Sequence, residues 1–214
     1  MAEKEGWKMG KVRVACVDVS AVDDALCERL YAAASPERKA RADRYLRRAD
    51  RVRCVAAEGL LRRALGRSDL TVEQAPGGKP RIRGAADFFY NLSHAGNWVV
   101  IAWGAEEVGV DVERIEMDSG KEAVARRYFT PDEQAYVFST PEDRGARFFR
   151  IWTGKESYLK YLGTGLTKPL DSFSVLSLPE VRLHHMPLAG GYCLTLCTRA
   201  EGYEVEWVTA EALV

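Results

Sequence analysis

Trp98-Val99-Val100-Ile101-Ala102-Trp103-Gly104-Ala105-Glu106-Glu107-Val108-Gly109-Val110-Asp111-Val112-Glu113 holds two strand patterns of different kinds. Residues 98–103 are apolar without a break, whereas Val108–Glu113 alternates apolar and acidic, the period-two signature of a strand with two unlike faces. Upstream, Phe88–Leu92 is a strand that reaches Trp98 through Ser93-His94-Ala95-Gly96-Asn97, and Leu70–Gln74 is a shorter one. Further back, Val12–Val19 alternates. Ser20 then caps a helix through about Tyr31, Ser35-Pro36-Glu37 starts another, and the arginine-rich stretch to Leu65 forms one or two helices ended by Gly66. Downstream, Thr130-Pro131-Asp132-Glu133 opens a helix as a capping box, and a longer helix runs from about Arg144 to Leu162 with Gly163 as its stop. Ser172–Leu178, Val181–His185, Gly191–Cys197 and Tyr203–Val208 close the chain as four strand-like runs. The order strand, helices, strands thus occurs once before about residue 106 and once after it. The predicted class is α+β, with two similar lobes over 1–105 and 106–214.

The 214 residues are 47% apolar, which excludes a disordered chain. The longest apolar run is the six residues 98–103, far short of the roughly 20 that span a bilayer. Met1–Lys11 has no apolar h-region, so no signal peptide is expected. The five cysteines (Cys16, Cys27, Cys54, Cys193, Cys197) are odd in number and lack C-x-x-C spacing, which predicts buried free thiols and a cytoplasmic protein. Net charge is zero, but Arg29–Arg63 holds eleven basic against four acidic residues. A basic segment opposed to an acidic remainder points to an anionic ligand at one place.

Asp111 and Glu113 share one face of their strand, and Val110 and Val112 share the other. Two carboxylates so placed suit a hard cation, or they are the solvated face of an amphipathic strand. In Phe148–Leu162, Lys155 falls inside an apolar arc of Phe148, Ile151, Trp152, Tyr158, Leu159 and Leu162, where it either snorkels or meets a buried anion. Glu156 and Lys160 lie one helical turn apart, as an ordinary ion pair or as site residues. Pro76-Gly77-Gly78-Lys79-Pro80 is a turn or a phosphate loop. His94 follows Asn91-Leu92-Ser93, while His184 and His185 face opposite ways in a strand, so a multi-histidine metal site is not expected.

The order basic helix, GGKP, NLSH, GVDVE, FTPDE, WTGKES-x-x-K resembles that of the 4′-phosphopantetheinyl transferases, in particular the larger, surfactin-synthetase-activating type. The resemblance runs from about Ser35 to Val175. It implies a pseudo-dimer of two α+β lobes, each a small antiparallel sheet on a long helix, with coenzyme A in the cleft between them. It also implies Mg²⁺-dependent transfer of phosphopantetheine from coenzyme A to a serine of an apo acyl or peptidyl carrier protein, with release of 3′,5′-ADP. By the same resemblance Asp111, Glu113 and Glu156 hold the metal. Glu156, or else Glu113 or a water, is the base, and Lys160 contacts the phosphate. Arg38, Arg41, Arg53, Lys79, Pro80, Ser93, His94, Lys155 and Lys160 hold coenzyme A. Glu133 is either a site acid or only a helix cap. The carrier docks beside Arg114–Phe129, where Ile115, Met117 and Val124 alternate with Lys121, Arg126 and Arg127. The length fits a monomer. The competing functions are a nucleic-acid-binding protein using the basic helix and a coenzyme A phosphohydrolase.

Overall fold

The computed structural model describes residues 11–74 and 78–214. Residues 1–10 and Pro76-Gly77 of the predicted loop lie outside it. The first strand, β1 (Val12–Asp18), is followed by α1 (Asp24–Ala33), α2 (Pro36–Ala42) and α3 (Arg48–Leu65). A small hairpin, β2 (Val72–Gln74) and β3 (Pro80–Ile82), leads into β4 (Phe89–Ala95), β5 (Trp98–Gly104) and β6 (Gly109–Arg114). Next come α4 (Ser119–Tyr128), α5 (Pro131–Phe138) and α6 (Arg144–Leu162), and finally β7 (Arg182–Leu188), β8 (Tyr192–Thr198) and β9 (Tyr203–Val208).

The unbroken apolar run at 98–103 is a central strand buried on both faces. In β1 and β5 alternate residues feed two separate cores. Ala15, Val17, Val99, Ile101 and Trp103 pack with Val55, Leu60 and Leu61 of α3. Val14, Cys16, Val100 and Ala102 pack instead with Val110, Val112, Leu194 and Leu196 of the second sheet. The layers are therefore helix, sheet, sheet, helix, with α6 against β6 and β8 on the far side. Each large aliphatic side chain so buried contributes about 1.5–3 kcal/mol.

The strand orders are β4-β5-β1-β9 and β6-β8-β7. The second sheet is antiparallel throughout, but β9 pairs parallel with β1, Val12 opposite Tyr203, so the first sheet is not the purely antiparallel one expected. The last strand thus leaves the second sheet and completes the first. Ala210 and Leu213, just beyond it, join the core under α3.

Two further expectations need correction. The first helix starts after Asp23, whose side chain accepts from Leu26 N–H, and not at Ser20. The stretch 172–178 holds no strand. The carbonyls of Leu170 and Phe173 accept instead from Lys155 Nζ, each at 2.7 Å. Residues 119–128 form a helix with Asp118 as its cap. All five cysteines are free, and Cys193 and Cys197 both face the α6 side of their sheet.

Candidate functional site

Gly109 explains why α6 lies so close to β6. A Cβ there would stand 2.0 Å from Ser157 O and 2.5 Å from Tyr161 N, so only glycine admits the helix backbone. At the other end Gly163, with φ +71°, lets the helix stop in the left-handed region. This close packing lays Glu156 and Lys160 over the face of β6 that carries Asp111 and Glu113. That face is not the solvated one: Asp111 is only 4% exposed, and Glu113 and Glu156 are half-buried.

Lys160 Nζ donates to Asp111 Oδ1 at 2.6 Å, to Ser93 Oγ at 3.1 Å and to Val110 O at 3.2 Å. Ser93 Oγ donates in turn to Asp111 Oδ1 at 3.0 Å. Asp111 Oδ2 is buried without a hydrogen-bond partner among the described residues. Burial pushes the Asp111 carboxyl above its usual range against the pull of Lys160. Glu113 is raised to about 6, by burial first and then by the charge of Asp111. Glu156 is raised by burial and by Asp111. Three carboxylates thus share one site with a single facing lysine. Among the described residues no three His, Cys, Asp or Glu side chains are drawn together as a finished metal site. What fits a hard cation is the all-oxygen donor set and the unmet lone pairs of Asp111 Oδ2.

On β4 the side chains alternate about the strand. Ser93 turns toward β6, and His94 lies on the other side, where the charge of Arg53 acts on it first, with lesser effects from Lys160, held on the Ser93 side, and from Arg41. Partial desolvation and those positive charges hold the His94 imidazole below its ordinary pKa. Arg53 is anchored by donating to Gly96 O at 2.6 Å and pairing with Asp50. His94, Arg41 and Arg53 thus lie near enough to Lys160 to feel its charge, and Lys160 in turn holds Asp111 of the acidic group.

Other predicted ligands are placed elsewhere. Lys155 is fully buried on a different face of α6. Its ammonium meets Glu133, also fully buried, at 2.7 Å, together with the carbonyls of Leu170 and Phe173. All three of its N–H donors are spent, so its assignment to coenzyme A is corrected to an internal anchor. Glu133 is likewise structural: it accepts from Thr130 N, completing the capping box, and from Val175 N. Lys79 is buried and donates to Glu107, to Val108 O at 2.9 Å and to Tyr161 O at 3.2 Å, which also leaves no donor for a ligand. Pro80 begins β3. Arg38 bonds the buried Glu58, which also binds Arg62 and Ser35. Ser93 is an inward seam residue and does not share a surface with His94.

Two residues near the site were missed. Asn91 Oδ1 accepts from Val110 N at 2.9 Å. Trp152 hydrogen-bonds Glu113 from one turn before Glu156 and lowers its pKa somewhat. The only sequence signal for either was membership of the NLSH and WTGKES strings.

Part of the basic stretch is paired within the fold. Arg48, Arg51, Arg53, Arg62 and Arg63 pair with Asp24, Glu28, Asp50, Glu58 and Glu206. Those pairs reduce the free charge that a nucleic-acid surface would need. Among the described residues no helix is long and apolar enough to cross a membrane.

The sequence profile of the 4′-phosphopantetheinyl transferase superfamily matches residues 107–208. The 4′-phosphopantetheinyl transferase Sfp of Bacillus subtilis is 32% identical over 155 residues, covering 69% of this chain and 68% of that protein. The 4′-phosphopantetheinyl transferase psf-1 of Bacillus pumilus is 33% identical over 213 residues, covering 87% and 89%. HetI of a Nostoc species, also named a 4′-phosphopantetheinyl transferase, is 34% identical over 164 residues.

Proposed function

The chain belongs to the 4′-phosphopantetheinyl transferase superfamily and is an enzyme of that activity, and from this premise we propose how its residues divide the reaction. Coenzyme A lies across the joint between the two sheets, taken as two lobes over 1–105 and 106–214 with β9 returned to the first. The protein acts as a monomer. The 3′-phosphate of coenzyme A meets Arg41, Arg53 and His94, and its pyrophosphate lies over Asp111, Glu113, Glu156 and Lys160. The observation that carries this assignment is the adjacency of one basic and one acidic group along β4, β6 and α6.

The carrier serine Oγ attacks the β-phosphorus. The Oγ–P bond forms, the bridging P–O bond to the α-phosphate breaks, and 3′,5′-ADP leaves with that oxygen. Glu156 takes the serine proton. Glu113, raised to about 6, is the second acceptor within reach of the same site. Lys160 shifts from Asp111 to the departing phosphate oxygen, where its charge offsets the one that develops. Asp111, Glu113 and Glu156 would hold Mg²⁺, which when bound supplies positive charge to the pyrophosphate.

In-line displacement brings the serine in opposite the 3′,5′-ADP. The carrier therefore approaches from the side away from His94, toward 114–129. Carrier proteins are typically acidic, and the exposed Arg126 and Arg127 would steer them. The test is mass spectrometry of apo carrier proteins incubated with coenzyme A, with and without chelator. A gain of one phosphopantetheine that the chelator prevents and added Mg²⁺ restores is expected. Carrier left unmodified beside hydrolysed coenzyme A would instead reveal a phosphohydrolase.

A further inference from the structure

Strands β4 and β6 are the facing edges of two different sheets, yet they are not joined by backbone hydrogen bonds. The joint is made by side chains. Asn91 Oδ1 accepts from Val110 N at 2.9 Å, and two residues on, Ser93 Oγ accepts from Val112 N at 3.3 Å. Two side chains two residues apart on β4 thus take the place of a ladder for two N–H groups two residues apart on β6. Asn91, its partner and the space between them are buried. One residue beyond Ser93 is His94, in the basic group. Between Val110 and Val112 is Asp111, in the acidic group.

Taking the transfer reaction proposed above as given, we propose that Asn91 is a positioning residue: its carboxamide oxygen fixes the register of β4 against β6, and so sets the distance between the 3′-phosphate grip and the carboxylates that face the pyrophosphate. Ser93 does not set that register alone, because its hydroxyl is shared with Asp111 and Lys160. The Asn91 carboxamide oxygen accepts from Val110 N, on β6. Binding energy from the 3′-phosphate, remote from the reacting phosphorus, then raises turnover only so long as the seam is rigid.

The experiment compares coenzyme A with dephospho-coenzyme A in the wild type, Asn91→Leu and Asn91→Asp, each at a temperature where circular dichroism shows it folded. In the wild type the 3′-phosphate should raise kcat as well as lower KM. Asn91→Leu keeps the volume and loses the acceptor. Its kcat with coenzyme A should fall tenfold or more, and the kcat ratio between the two nucleotides should collapse toward one. Its KM ratio should persist, because His94 and Arg53 are untouched. Asn91→Asp retains the acceptor and should restore the kcat ratio. Simple loss of folded protein lowers both nucleotides alike and leaves the ratio unchanged, so an unchanged ratio in Asn91→Leu overturns the positioning role. A wild-type kcat indifferent to the 3′-phosphate overturns it too. If Asn91→Leu does not fold, Asn91→Ala is read in the same way. Absence of carrier modification by the wild type would remove the underlying reaction itself, a result distinct from either.

Discussion

Lys160 Nζ lies 2.6 Å from Asp111 Oδ1, while Oδ2 of the same carboxylate is buried with no hydrogen-bond partner among the described residues. One cation therefore serves half of a carboxylate that burial would otherwise neutralise. Lys160→Met should lower stability by about 2–3 kcal/mol, less than the loss expected for a fully buried pair because Lys160 is partly exposed. Adding Asp111→Asn should recover most of that loss, while transfer stays abolished in both variants. Thermal melts of the single and double variants decide it. A double variant less stable than Lys160→Met would show that the two residues are not a compensating pair.

Gly109→Ala should be among the most damaging small substitutions in the chain. The added methyl meets backbone atoms of α6, which cannot rotate away, so the cost should reach the upper end of the ~1–3 kcal/mol typical of overpacking or exceed it. The displaced helix should carry Glu156 and Lys160 off the β6 face and cut kcat at least tenfold. Denaturant titration beside steady-state kinetics checks both effects. Wild-type stability in this variant would mean that the helix has slack.

Lys155→Met should cost about 3–5 kcal/mol, since it strands the buried Glu133. At a temperature where the variant is folded, KM for coenzyme A should be unchanged. A selective rise in that KM would return Lys155 to the binding site.

Arg126→Glu should raise the carrier KM severalfold and leave coenzyme A affinity alone, with the effect shrinking as salt is added. Arg126 is the clean probe because it is exposed, its guanidinium lying over the Phe138 ring while its backbone carbonyl accepts from Gln134 Nε2. Met117, the other candidate in that segment, is half-buried against Ile115 and the start of α6, so Met117→Asp would also lower stability. Unchanged carrier KM at low salt would move the docking surface elsewhere.

Desolvation, aided by Arg150 and His184, holds the His185 imidazole down at about 4, and its Nδ1 lies 2.8 Å from Thr195 Oγ1. Between that value and the unfolded value of ~6.5 the unfolded chain binds more protons than the folded one. Stability contributed by neutral His185 is therefore complete above ~6.5 and is lost as the pH falls toward 4. Melting temperature followed from pH 7 to pH 4 should drop less steeply in His185→Gln. Parallel curves would assign the acid limb to other groups.

The α+β class, most element positions and the family were legible because their signals are local: alternation in Val108–Glu113, the Pro-Asp-Glu capping box, the glycine stop at 163. The division of β6 into an apolar and an acidic face was also legible, but not that the acidic face would be covered. That depends on Glu156 and Lys160 of α6, which lie over forty residues later. Lys155 sat visibly inside an apolar arc, yet its partner Glu133 is 22 residues away on another helix and read as a cap. Lys79 looked like a ligand residue for the same reason: a lone lysine in a glycine loop does not reveal the three acceptors the fold brings to it. Ser172–Leu178 alternates well enough for a strand, but its backbone is held in turns by contacts with Lys155 that lie outside the segment.

The parallel pairing of β1 with β9 has a consequence for synthesis. On the ribosome, β1 emerges first and its final neighbour close to last. Until about residue 208 is released, one edge of the first sheet stays open beside a core that Val208, Ala210 and Leu213 help to seal. Maturation of the first half must therefore wait for translation of the second. A product truncated before residue 203 would carry a bare strand edge, the kind of template on which nascent chains aggregate.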